Sequence, residues 1–94
     1  MNIETLTSLG LSKREAEVYF VLLHVEDALA SEVSSKTKEA RTNTYDTLNS
    51  LIKKGLVSYV IKNNKKYFLA ADPKNLLKWM EVRKDEIEKE KKYY

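Results

Sequence analysis

Residues 41–71 read RTNTYDTLNSLIKKGLVSYVIKNNKKYFLAA, and two periodicities meet inside this stretch. Before Gly55, the residues Tyr45, Leu48, Leu51 and Ile52 recur at intervals of three and four, the spacing that lines one face of an α-helix. Thr42 is the expected N-cap of this helix, 42–54, and Gly55 stands where a left-handed C-terminal cap is needed. Lys53 and Lys54 fall at the negative end of its dipole. After Gly55 the pattern changes. Residues 56–61 and 67–71 are rich in β-branched and aromatic types, which fit a pleated surface. Between them lies Lys62-Asn63-Asn64-Lys65-Lys66, with two asparagines that tolerate left-handed backbone at the tip of a hairpin.

Upstream, Lys38, Glu39, Ala40 and Arg41 supply a turn, preceded by a short helix capped by Ser31 and running to about Lys36, with Val33 inward and Leu29 just before it. Ser12-Lys-Arg-Glu15 has the capping-box form. Behind it, Ala16, Tyr19, Phe20 and Leu23, widened by Leu22, predict a helix to about Val25, ended by Glu26 and Asp27. Ile3, Leu6 and Leu9 predict a first short helix, stopped by Gly10. Downstream, Asp72 and Pro73 give a cap and a first-turn proline for a last helix reaching Lys92. The expected class is therefore mainly α with a small β-hairpin (α+β), with residues 1–72 as one domain and 73–94 as an extended C-terminal helix.

At 94 residues and 43% hydrophobic content the chain supports one core. It has no cysteine, so no disulfide framework and no thiolate metal site. No apolar run approaches the roughly 18 residues of a membrane span, and a cytoplasmic protein with no membrane partner is expected. Charge is unevenly placed: residues 31–66 hold eight basic residues against three acidic, while residues 1–30 hold two against five. A cationic middle beside an acidic start is the footprint of a protein that meets a polyanion, with solvated lysines as the plainer alternative.

Catalytic readings fail on inventory. His24 is the single histidine and has no second imidazole or thiolate for a zinc site. Glu15 with Glu17, and Glu26 with Asp27, read as solvated acids on helix faces. Gly10 and Gly55 are the only glycines, so there is no phosphate-cradling loop. Neither an enzyme nor a cofactor is expected.

Two short helices joined by a tight turn, then a basic-tipped hairpin, form the order of a winged helix-turn-helix, in which one helix enters the major groove and the hairpin meets flanking phosphates. Three blocks of this chain, residues 9–19 (LGLSKREAEVY), 41–48 (RTNTYDTL) and 53–57 (KKGLV), resemble the N-terminal domain of the archaeal TrmB-type transcriptional regulators. The resemblance implies sequence-specific binding of double-stranded DNA, usually as a dimer, with the recognition helix starting at Arg41 and Thr42. Two departures stand out. The family's turn commonly has glycine and proline where this chain has Lys38 and Ala40, and the wing lacks its usual glycine and proline. Full-length members often carry a C-terminal effector domain; no small-molecule effector is identifiable here.

On the helical wheel, Tyr45, Leu48 and Ile52 inward leave Arg41, Asn43, Asp46, Thr47, Ser50 and Lys53 toward solvent or groove. Arg41 and Asn43 are the candidate base readers, because arginine pairs bidentately with guanine and asparagine with adenine. Thr42, Thr44 and Thr47 are candidates for phosphate or thymine-methyl contact, with Asp46 as an orienting acid. Lys62, Lys65 and Lys66 on the wing, with Lys36, Lys38 and Lys53, suit phosphates. In the last helix, Leu76, Met80, Arg83 and Ile87 recur at four and three, with Trp79 alongside, which suggests a homodimer seam. Two rivals remain at this stage. One is a winged-helix protein-interaction adaptor using the apolar surface near Trp79. The other is RNA binding, disfavoured because an A-form groove does not admit a recognition helix.

Overall fold

Both glycines end a helix in the same way. The computed structural model describes residues 3–72 together with 74, 75, 77–79 and 81. Helix α1 (Ile3–Ser8) closes with Gly10 at φ 102°, its N–H bonded to the Thr7 carbonyl while Leu11 N–H reaches Leu6. Helix α4 (Arg41–Lys53) closes with Gly55 at φ 77°, its N–H on the Ile52 carbonyl while Leu56 N–H reaches Leu51. This pair of bonds is the Schellman arrangement, and it needs a left-handed residue that glycine supplies without a Cβ penalty. In each case the chain turns a buried leucine, Leu11 or Leu56, back onto the core.

Helix α2 (Lys13–Leu23) begins with the expected capping box: Glu15 N–H donates to Ser12 Oγ, and Ser12 N–H donates to Glu15 Oε1 at 2.9 Å. Its buried side comprises Glu15, Ala16, Val18, Tyr19 and Leu22, whereas Leu23, expected inward, is exposed. Strand β1 (Ala28–Leu29) follows, then α3 (Ala30–Thr37), whose start is Leu29 rather than Ser31, held by Glu32 Oε1 accepting the Leu29 N–H at 3.1 Å. Strands β2 (Val57–Lys62) and β3 (Lys65–Ala70) form the hairpin, with Asn63 and Asn64 at φ 51° and 61°. Two consecutive positive φ values in a two-residue connection are the signature of a type I′ turn, whose twist matches that of the strands.

The hairpin is part of a three-stranded antiparallel sheet in the order β1-β3-β2. Ala28 pairs with Phe68 and Leu29 with Tyr67, so the residue pair just before α3 is stitched to the wing. Two-residue strands carry no periodicity, which is why the sequence pattern left β1 unseen. The core is continuous: α2 packs on α1, α3, α4 and β3, around Leu6, Tyr19, Leu22, Val33, Leu48, Leu51 and Phe68. Burial of each such side chain contributes about 1.5–3 kcal/mol.

Beyond Asp72, the described residues Lys74, Asn75, Leu77, Lys78, Trp79 and Glu81 are helical, with the Asp72 carboxylate accepting Lys74 N–H at 2.9 Å. Leu76, Met80, Arg83 and Ile87, and the helix expected to reach Lys92, lie outside the described residues. Among the described residues, no helix is long and apolar enough to cross a membrane, and no three of His, Cys, Asp or Glu converge on a point.

Candidate nucleic-acid interface

Helix α4 buries Thr44, Thr47, Leu48 and Leu51. At 100° per residue this face is turned about 80° from the one that Tyr45, Leu48 and Ile52 define. The two threonines explain the turn. Thr44 Oγ1 donates to the Ala40 carbonyl at 3.1 Å and Thr47 Oγ1 to the Asn43 carbonyl at 2.9 Å, so each hydroxyl is satisfied within the helix and only a methyl faces the core. Thr44 and Thr47, candidates for DNA contact by the wheel, are thus core residues at 1% and 9% exposure. Tyr45, expected inward, is 44% exposed. The outward face consists of Arg41, Thr42, Tyr45, Asp46, Asn49 and Lys53, with Asn43 and Ser50 half-buried on its far flank. Asn49 was not singled out by the sequence pattern, although it stands seven residues from Thr42 and shares its face.

The first turn of α4 starts at Ala40, one helix position before Arg41, and not at Thr42. No side-chain hydrogen bond caps it and no acid lies in its first turn, so neither offsets the positive dipole end beside Arg41. Asp46 forms no ion pair with Arg41 among the described residues. Five positions along a helix is about 140° around it, out of reach for the orienting role.

A groove of about 360 Å³ separates this helix start from the wing, lined by Leu29, Ala30, Ser31, Arg41, Tyr45, Asn64, Lys65 and Lys66. Three elements far apart in sequence therefore converge here: the start of α3, the start of α4 and the hairpin tip. An aromatic row holds the two walls. The Phe68 ring lies 6.4 Å from Tyr45 on α4 and 6.2 Å from Tyr59 on β2, both at edge or tilted angles. Lys66 Nζ sits 4.2 Å above the Tyr59 ring.

The candidate cations divide. Arg41, Lys65 and Lys66 line the groove. Lys36 is exposed in the last turn of α3, and Lys38, at φ 60°, forms its left-handed C-terminal cap. Ser34 Oγ donates to the Glu39 carbonyl and Arg14 pairs with Glu39 at 3.7 Å, which steadies this turn. Lys62 is engaged elsewhere: its ammonium binds Asp27 and lies 4.8 Å over Tyr67, and the hydrogen bond to Asp27 holds its pKa above the ordinary lysine value. Lys53 is at the other end of α4, about 18 Å from Arg41. There it lines a second groove with Lys54, Gly55, Asn75, Lys78 and Trp79.

Glu15 is not the solvated acid that its sequence neighbours suggest. It is 7% exposed, and its Oε2 accepts from Ser50 Oγ at 2.8 Å and from Lys54 Nζ. Burial by itself raises its pKa, but the hydrogen bonds from Lys54, the Ser12 N–H and Ser50, with the Lys54 charge, outweigh it and lower the value to about 2. The carboxylate thereby fastens α2 to the C-terminal end of α4. Lys54 in turn lies 5.8 Å from the Trp79 ring centroid, and Asn75 Nδ2 donates to the Gly55 carbonyl.

A helical core whose fourth helix exposes an uncapped basic start beside a lysine-bearing hairpin defines a winged helix-turn-helix domain. The chain belongs to the TrmB family: the model described as sugar-specific transcriptional regulator TrmB matches residues 6–74. Among solved structures it is similar to TrmBL2, an archaeal chromatin protein, at 31% identity and a TM-score of 0.72, covering 97% of this chain and 37% of that one. The chain therefore spans little more than a third of that relative. The ST1889 protein from the thermoacidophilic archaeon Sulfolobus tokodaii (19% identity, TM-score 0.67, 89% of this chain and 96% of that one) shares the fold. So does a MarR family protein from Bacillus stearothermophilus (21%, 0.67, 89% and 61%). A search of curated proteins gives no match. The family is one of transcriptional regulators, and the resemblance carried by the three sequence blocks is borne out.

Proposed function

We propose that this chain binds double-stranded DNA as a transcriptional regulator, with α4 in the major groove and the wing on the adjacent backbone. The observation that carries this reading is the groove in which Arg41, Lys65, Lys66 and the open first turn of α4 converge. TrmBL2, the similar archaeal chromatin protein, is described as showing a novel mode of DNA binding. Arg41 is the leading base reader, with Thr42 and Asn49 on the adjoining exposed face and Asn43 contributing from the flank. Lys65 and Lys66, joined by Lys36 and Lys38, neutralise phosphates. No catalytic step and no cofactor enter this reading, and it places the protein in the cytoplasm.

Residues 73–94 form, in this proposal, a helix that joins two copies and sets two recognition helices about 34 Å apart, one turn of duplex. Arg41→Ala is expected to abolish preference between a selected operator and random duplex. Lys65→Ala is expected to weaken both equally and lower the slope of log K against log salt by about one. Equal loss on both duplexes for Arg41→Ala counts against base reading by that residue. Absence of any affinity for random duplex at low salt turns the reading toward a protein-interaction adaptor.

A further inference from the structure

The groove at the far end of α4 differs in make-up from the one beside Arg41. It holds about 520 Å³ between the end of that helix and the helical residues after Asp72, and Lys53, Lys54, Gly55, Asn75, Lys78 and Trp79 line it. Three of these six are lysines and none is an acid. The Lys54 charge is already neutralised, because its ammonium binds Glu15. Lys53 and Lys78 are exposed and form no ion pair among the described residues, so two positive charges from separate elements border one cavity. Trp79 is half-buried and packs on the core, and its indole gives the cavity an aromatic wall. The C-terminal end of a helix ordinarily repels an anion through its last carbonyls. Here those of Ser50, Leu51 and Ile52 accept from the Lys54, Leu56 and Gly55 N–H groups, and that of Gly55 accepts from Asn75 Nδ2. Asn75, bonded through its nitrogen, keeps an amide oxygen that can accept from a ring amino group.

We infer that this groove binds a nucleoside monophosphate, with the base against Trp79 and the phosphate between Lys53 and Lys78. Two cations without a partner call for a dianion, which a phosphate monoester largely is at neutral pH. An aromatic wall calls for a flat ring. Neither part alone fills 520 Å³, a size within the range of about 300–1,000 Å³ usual for small-molecule sites. The inference stands apart from the DNA-binding reading, since Lys53 is about 18 Å from Arg41 along α4. Because its walls come from α4 and from the residues after Asp72, an occupied groove ties the last helix to the domain through the ligand.

The test titrates adenosine monophosphate into the full chain. Trp79 is the only tryptophan of the sequence, so its fluorescence, excited where adenine does not absorb, reports the groove directly. A saturable change is expected, with adenosine and inorganic phosphate each binding at least about tenfold more weakly, because each makes only part of the contacts. Lys53→Ala and Lys78→Ala are each expected to weaken binding about fivefold, the size of a partly exposed ion pair. Lys13→Ala, which removes the same charge from the start of α2, is expected to leave it unchanged. Far-UV circular dichroism and a melting curve establish that each variant is folded. The proposal is overturned by a fluorescence change that never saturates, or by adenosine or phosphate binding as tightly as the nucleotide. Folded Lys53 and Lys78 variants that bind like the unaltered chain, or an equal loss in Lys13→Ala, overturn it as well. Displacement of the nucleotide by random duplex makes the groove part of the DNA surface, and the proposal then falls while the DNA reading stands. Saturable nucleotide binding by a chain with no affinity for duplex is the converse result, which overturns the DNA reading alone.

Discussion

Replacing Glu15 by glutamine removes one charge and keeps the shape of the side chain, and its cost can be worked from the site. Glu15 is 7% exposed and accepts from the Ser12 N–H, the Ser50 hydroxyl and the Lys54 ammonium. Its carboxyl is lowered from 4.5 to about 2, which at 1.36 kcal/mol per unit sets an upper bound of about 3 kcal/mol for the charged form. The Lys54 side chain is 29% exposed, so water screens part of the attraction, and about 2 kcal/mol is the expected loss at pH 7. For a domain of this size that is a fall in Tm on the order of 10 °C. Because the folded-state pKa lies below that of the unfolded chain, the contribution is complete above about pH 4.5 and drains away as pH falls toward 2. Urea unfolding of both proteins at pH 7, 4.5 and 3 is the assay. The gap between them is expected to be full at pH 7, smaller at 4.5 and smaller again at 3. A gap below about 0.5 kcal/mol at pH 7, or one that does not change with pH, refutes the account of Glu15 as a charged clasp.

Lys38 occupies a left-handed position at φ 60°, so Lys38→Gly is expected to raise stability by about 1 kcal/mol in thermal melts while weakening DNA binding through the lost cation; a destabilised variant contradicts the assignment of strain. Sedimentation at micromolar concentration is expected to give a dimer of the 10.9 kDa chain, and a chain shortened after residue 81 is expected to sediment as a monomer. A monomer for the full chain removes the proposed seam.

The parts of the fold legible in the sequence are those set by short-range chemistry. Ser12 and Glu15 cap α2, Gly10 and Gly55 close their helices, and Asn63 and Asn64 form the turn, because each outcome depends on residues within a few positions. The facing of α4 depends on its neighbours instead. A wheel that ranks tyrosine as more apolar than threonine turns Tyr45 inward, yet threonines whose hydroxyls bond to their own helix are small enough to let α4 lie close to α2 and α3. The role of Glu15 was hidden for a similar reason, since its partners Ser50 and Lys54 lie 35 and 39 residues away. Of the candidate interface, Arg41, Lys65 and Lys66 were legible as a basic cluster. That they share one groove with the start of α3 was not, because the link passes through two residues of β1.

That short strand has a wider consequence. With Ala28 and Leu29 sewn to Phe68 and Tyr67, the hairpin is anchored at its base to the same segment that launches α3, and the Phe68 ring braces it against α4. Both ties oppose independent splaying of the two prongs, as in a caliper held at one opening. Duplexes would then be sorted by local groove width and curvature as well as by base sequence, since a rigid gauge obliges its object to conform.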